Sequence, residues 1–212
     1  MTAGALRFGA LDEHCAHLCV DMQRMFSEAT PWQVKWLPGV MPRTREIVAL
    51  HPERTFFTRF ITARRTGEGI GAWKRYYEHW AAMTVERLGI EMLDLVPELG
   101  AFAPPAEIID KPVYSPWMAT DLDAWLTARG VDTLVITGGE TEVCVLAAVM
   151  GAIDLGYRVV LAKDAVCSSA DETHDAMVDI YCEGFQLQVE AVDTDVILEA
   201  WKADNRQRVA RR

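Results

Sequence analysis

The stretch TLVITGGETEVCVLAAVMGAIDLG, residues 133–156, carries the fold in its order of residue types. Thr133 to Thr137 is uncharged and rich in β-branched residues, as a strand covered on both faces should be. Gly138-Gly139 then breaks the run. From Thr141 the residues continue as a largely apolar helix to Leu155, stopped at Gly156, the residue type favoured just past a helix end. A doubly buried strand, a glycine turn and a covering helix together form one βα unit of a parallel sheet.

The same unit recurs on both sides of this stretch. Towards the N-terminus, His17 to Val20 reads as a first strand ending at Asp21, and a helix over Arg43 to Leu50 follows the Pro38-Gly39 turn. Thr55 to Phe60 is a second strand, Glu107 to Asp110 a third ending at Lys111, and Leu122 to Arg129 a short helix closed by Gly130. Beyond it, Arg158 to Ala162 is a fifth strand, Asp171 to Tyr181 a helix and Phe185 to Val189 a sixth strand. The fold class is α/β, a three-layer Rossmann-like arrangement on a six-stranded parallel sheet.

The 212 residues are half apolar and a quarter charged, which suits one domain over 1–212, and no repeat or linker divides them. The formal charge of -10 repels polyphosphates and excludes nucleic acid as a ready partner. Met1 to His14 holds no apolar leader segment, and no run approaches the roughly 18 apolar residues of a membrane span. A cytoplasmic protein is expected, acting on a small molecule. The basic stretch Arg206 to Arg212 reads as a solvated end.

Five cysteines, an odd number without a CxxC pair, argue against a disulfide framework, a zinc ribbon and a thioredoxin-type centre. His14, Cys15 and His17 do not make a metal site, because adjacent residues on a strand face opposite ways. Gly67, Gly69 and Gly71 echo a phosphate loop but lie after the second strand, where no dinucleotide fingerprint belongs. The reading is no metal and no cofactor.

One segment departs from the alternation, a helical, aromatic-rich insertion at about 62–97. Trp73, Tyr76, Tyr77 and Trp80 fall at i, i+3, i+4 and i+7 and share one helix face, either a lid over the substrate or a contact between subunits. Trp32, Trp73, Trp80 and Trp117 are candidate pocket walls, as is Tyr114 close after Lys111.

Asp21, Lys111 and Cys144 each fall at a strand's C-terminal end or in the turn after it, the edge where open parallel sheets bind ligands. Cys144 lies in the first helical turn, where the helix dipole and free N–H groups favour a thiolate. Lys111 would add an ammonium, and Asp21 would accept the thiol proton and return it to a leaving group. Cys15, Cys19, Cys167 and Cys182 read as ordinary packing thiols.

These residues resemble the isochorismatase-like cysteine hydrolases, a superfamily that includes nicotinamidases, N-carbamoylsarcosine amidase, biuret hydrolase and ureidoacrylate hydrolases. Val20-Asp21-Met22-Gln23-Arg24-Met25-Phe26 is similar to the family's D-x-Q-x-x-F block. Asp110-Lys111 with Tyr114-Ser115 is similar to its lysine block, and Gly138 to Val145 to its G-x-x-T-x-x-C-V nucleophile block. The resemblance implies strand order 3-2-1-4-5-6 and a triad of Asp21, Lys111 and Cys144. It also implies a cis peptide between Gly139 and Glu140, which would aim the N–H groups of Glu140 and Cys144 at a developing oxyanion. Gln23, Phe26, Arg59, Tyr114 and Thr141 join the tryptophans as pocket candidates, with Arg59 available to orient a polar or anionic substrate. Family members commonly assemble, so the resemblance implies a homodimer or homotetramer.

Thr58-Arg59-Phe60-Ile61-Thr62 stands where metal-dependent nicotinamidases carry D-x-H, which removes that site from the expectation. Cys144 in turn points to covalent cleavage of an amide, ureide or carbamoyl C–N bond through a thioester. A vinyl-ether hydrolase of the isochorismatase type, or a non-catalytic redox-sensing thiol protein on the same scaffold, are the alternatives.

Overall fold

The computed structural model describes residues 6–210. Its sheet is built of β1 (Cys15–Val20), β2 (Thr55–Phe60), β3 (Glu107–Lys111), β4 (Thr133–Gly139), β5 (Arg158–Cys167) and β6 (Val189–Val192). All pairings are parallel and the order is β3-β2-β1-β4-β5-β6, as the family resemblance implied. β1 and β4 form the centre, in register from Cys15 opposite Thr133 to Val20 opposite Gly138. Chain order reverses between these two strands, so the loops leaving their C-terminal ends part and open a crevice.

Side-chain alternation feeds a core on each face of the sheet. The longer helices are α1 (Leu37–Leu50), α2 (Ala72–His79), α3 (Leu122–Ala128), α4 (Cys144–Asp154), α5 (Asp171–Glu183) and α6 (Thr194–Ala210). On one face Leu18, Val20, Ile136 and Leu161 pack against Leu126 of α3, Val145 and Val149 of α4 and Tyr181 of α5. On the other, Val135, Val160 and Ala162 meet Ile47 of α1 and Ile197 and Trp201 of α6. Each such buried aliphatic side chain contributes about 1.5–3 kcal/mol, so the sheet is anchored from both sides. No helix among the described residues is long and apolar enough to cross a membrane.

Several boundaries move from their expected places for local reasons. α1 starts at Leu37, not Arg43, because Pro38 occupies the first turn, where a missing N–H costs nothing, and Gly39 stays helical. α4 starts at Cys144 rather than Thr141. β5 runs on past Ala162 to Cys167, since a bulge sets two steps of β4, Ile136 to Gly138, against five of β5, Leu161 to Val166. That bulge releases Asp164, whose Oδ1 accepts the N–H and hydroxyl of Thr194 and so starts α6. β6 begins at Val189, where the expected strand ended. Phe185 to Gln188 forms a turn instead, with the N–H of both Gln188 and Val189 donated to the Phe185 carbonyl, and Leu187 is 84% exposed.

Between β2 and β3 the insertion holds α2 and a chain of single helical turns from Ala81 to Gly100. The basic stretch near the end is helical as far as Ala210 in α6, while Arg211 and Arg212 lie outside the described residues.

His17 in β1 is wholly buried, with Nε2 2.8 Å from Thr137 Oγ1, and burial pushes its pKa down to about 3. The unfolded chain takes up a proton at His17 near pH 6.5 while the folded one does not, so folding stability falls as pH drops from 6.5 towards 3. Denaturant titrations of wild type and His17→Leu at pH 7 and pH 5 should differ in their pH response by about 2 kcal/mol, wild type losing more. An equal pH response in both proteins would show that His17 is not held neutral.

Candidate active site

The loop from Gly139 to Cys144 is tied down at several points. The Gly139-Glu140 peptide is cis. The Thr141 N–H and hydroxyl both reach the Cys167 carbonyl at the end of β5, at 3.0 and 3.1 Å, and the Tyr181 hydroxyl donates to the Thr141 carbonyl. His174 Nδ1 lies 2.9 Å from Thr141 Oγ1. The Glu140 carbonyl accepts from the N–H groups of Val143 and Val145, leading the chain into α4 with Cys144 as its first residue. Behind the loop, Gly138 has φ +111° and lies so close to β1 that any Cβ would collide with the Val20 backbone. The glycine pair therefore sets how near Cys144 comes to Asp21.

Asp21 leaves β1 with φ +50°, a left-handed conformation that aspartate tolerates better than most residues. The Thr58 hydroxyl on β2 fixes it twice, accepting from the Asp21 N–H at 3.1 Å and donating to Oδ1 at 2.5 Å. Lys111 comes from β3, two strands away, and its extended chain crosses the Phe60 ring with Nζ 5.1 Å from the centroid. Nζ ends 2.7 Å from Asp21 Oδ2, 3.5 Å from Cys144 Sγ and 3.2 Å from the Val113 carbonyl. The Asp21 carboxylate also acts on the Cys144 thiol through its charge. Lys111 is 0%, Asp21 1% and Cys144 6% exposed.

Charge in this cluster is settled by burial and by the ion pair. Burial opposes the Lys111 ammonium, yet the Asp21 carboxylate and Cys144 outweigh it and raise its pKa. For Cys144, burial comes first and the Asp21 carboxylate second, and together they override Lys111 and push the thiol well above its ordinary pKa. The thiolate that the helix terminus and Lys111 favour is thus opposed by burial and by Asp21. The helix terminus and the lysine favour the anion, but the lysine's charge is already committed to Asp21.

Above Cys144 opens a cavity of about 240 Å³. Of the residues the sequence offered as walls, Phe26, Trp32, Trp80 and Tyr114 line it, as does Glu140. Phe60, Tyr76 and Ser169 line it too. By sequence alone Phe60 is a strand residue, Tyr76 one of a helix stripe, and Ser169 carries no signal.

The other candidates lie elsewhere. Gln23 is buried and clamps the chain, accepting from Phe60 N–H and donating to the Phe60 and Leu93 carbonyls. Arg59 is held by both oxygens of Asp110 at 2.7 and 2.9 Å and by Asp94 at 3.0 Å. Trp73 backs the wall by an edge contact with Tyr114, ring centroids 4.9 Å apart, and borders a separate hollow with Ile61 and Ile70. Trp117 stacks on Tyr157 and donates to the Ala148 carbonyl, in a gap that Gly151 leaves on α4. Thr141 is spent on holding the loop. Among the described residues no three His, Cys, Asp or Glu side chains converge to hold a metal ion.

The model of the isochorismatase domain matches residues 15–190. The chain is 27% identical over 172 residues to a probable inactive nicotinamidase of Arabidopsis thaliana, covering 77% of this chain and 85% of that one. It is 33% identical over 69 residues to a maleamate amidohydrolase of Pseudomonas putida, 32% of each chain. The crystal structure of a cysteine hydrolase from Pseudomonas syringae pv. phaseolicola superposes with TM-score 0.80 at 23% identity, over 96% of this chain and all of that one, which is a likeness of fold.

A Cys144 thiol raised by burial and then by Asp21 makes a specific demand on reactivity. In Asp21→Asn the ammonium of Lys111 loses its counter-charge and acts on the sulfur alone, which favours the thiolate. Iodoacetamide labelling of Cys144 at pH 7, followed by peptide mass, should run about tenfold faster in Asp21→Asn than in wild type. A slower or unchanged rate would contradict this charge assignment.

Proposed function

Because the chain belongs to the isochorismatase family, whose members are hydrolases with amidases among them, we propose that it hydrolyses a C–N bond of a small amide, ureide or carbamoyl compound through a thioester on Cys144. One observation carries this reading: Lys111 Nζ stands 2.7 Å from Asp21 Oδ2 and 3.5 Å from Cys144 Sγ, with the sulfur facing the cavity.

The substrate carbonyl enters above Cys144. Sγ attacks the carbonyl carbon while Asp21 takes the thiol proton, so no free thiolate has to be stored in the buried site. The carbonyl oxygen becomes an oxyanion, held by the N–H groups of Glu140 and Cys144. The tethered loop supports that role, since the neighbouring N–H groups of Thr141, Val143 and Val145 are spent on other carbonyls. Asp21 gives its proton to the departing nitrogen, the C–N bond breaks, and the acyl group stays on sulfur. Asp21 then deprotonates a water that attacks the thioester, releasing the acid and restoring the thiol. Lys111 keeps its proton throughout and offsets the changing charge on Asp21 and Cys144.

The redox-sensing alternative fits this site less well, because sensor thiols are exposed and of low pKa, whereas burial raises Cys144. Vinyl-ether cleavage would leave the sulfur without a task. The relative described as probably inactive makes turnover itself the first quantity to measure.

Ammonia release should be followed over a panel of primary amides, ureides and carbamoyl compounds. The wild type is expected to turn over at least one class, with kcat reduced about 10⁴-fold or more in Cys144→Ala and Cys144→Ser and about 10³-fold in Asp21→Asn. Near-normal turnover in Cys144→Ala would exclude the covalent mechanism.

A further inference from the structure

The walls of the cavity are uneven in chemistry. Trp32 is their hub, with ring centroids 6.2 Å from Phe26, 6.1 Å from Phe60, 5.7 Å from Tyr76 and 5.9 Å from Trp80. The Trp32 and Trp80 planes meet at 70°, so they form a corner instead of stacking on each other. Among the described residues that line the cavity none is basic, and one, Glu140, is acidic. Its Oε1 accepts the Ser169 N–H at 3.2 Å, which holds the carboxylate at the wall.

Neither cation near the site is available to a ligand. Lys111 lies beneath the cavity, bound to Asp21, Cys144 and the Val113 carbonyl. Arg59 is paired with Asp110 and Asp94. A ligand carboxylate would therefore give up water for a site with no free positive partner and with Glu140 facing it, in a chain of net charge -10. A cation gains on both counts, from the ring faces and from the carboxylate.

We propose that the cavity selects amides carrying a cationic group, an alkylammonium or quaternary ammonium, at the end remote from the scissile carbonyl, and rejects carboxylate-bearing amides. This substrate class rests on the reading of Cys144 as the acyl acceptor, but the cage can be tested apart from chemistry. The probes are three primary amides of equal length ending in trimethylammonium, tert-butyl or carboxylate. Their binding to the folded Cys144→Ala protein is measured by calorimetry and by tryptophan fluorescence.

The trimethylammonium amide should bind about tenfold tighter than the tert-butyl amide, and the carboxylate more weakly than either. Adding Glu140→Gln or Trp32→Leu to Cys144→Ala should each cut the ratio of cation to tert-butyl affinity at least threefold. The ratio is read within one protein, so a general loss of binding does not mimic it. Equal or tighter binding of the tert-butyl or carboxylate amide overturns the proposal. Turnover of the same amides by wild type keeps the two readings apart. Cation-selective binding without ammonia release upholds the cage while sinking the hydrolase mechanism, and faster turnover of the carboxylate amide sinks the cage while upholding the mechanism.

Discussion

A lysine ammonium and an aspartate carboxylate held 2.7 Å apart and out of water constrain everything else in this molecule. Taking two charges from water costs several kcal/mol each, and the attraction between them repays that only when geometry is good and the remaining valences are satisfied. Here partners come from three strands, while Oδ2 of Asp21 has the ammonium beside it and no hydrogen bond. Thr58 on β2 fills Oδ1 of Asp21, the Val113 carbonyl beyond β3 fills one Nζ donor, and the sulfur after β4 takes another. The order β3-β2-β1-β4 is what brings these strand ends to one edge, so sheet topology and site chemistry depend on the same pairings.

After burial, the pair also bears on the state of Cys144. A lysine already matched to a carboxylate has little left for a thiolate, and a buried sulfur beside that carboxylate keeps its proton. In the proposed mechanism reactivity waits for a carbonyl to receive the charge, with proton transfer to Asp21 and attack on carbon proceeding together. A resting thiol is also a poor target for oxidants, which suits the role proposed for Cys144.

The sheet and the meeting of Asp21, Lys111 and Cys144 at one edge were legible because both follow from residue type and period. Strands covered on two faces read as apolar runs, and a reactive residue at the end of three of them is hard to arrange by accident. Pocket walls were less legible, because period gives a face but not what that face meets. Trp117 follows Lys111 closely, yet Gly151 leaves a gap on α4 that takes its ring away from the cavity. Arg59 looked like a substrate handle, while parallel register sets it directly opposite Asp110. That pairing was recoverable from aligning β2 with β3. Leu187 completed an alternation resembling a strand and proved to lie on an exposed turn, since nothing local separates an apolar residue facing solvent from one facing a core.

The proposed hydrolysis requires an acyl group carried by Cys144, and intact mass under turnover reads that group directly. With a slow amide substrate and rapid acid quench, wild type should gain the mass of the acyl group less one hydrogen, with the adduct mapped to the peptide holding Cys144 and absent from Cys144→Ala. Steady turnover with no adduct in wild type at any quench time, together with retained activity in Cys144→Ala, would contradict it.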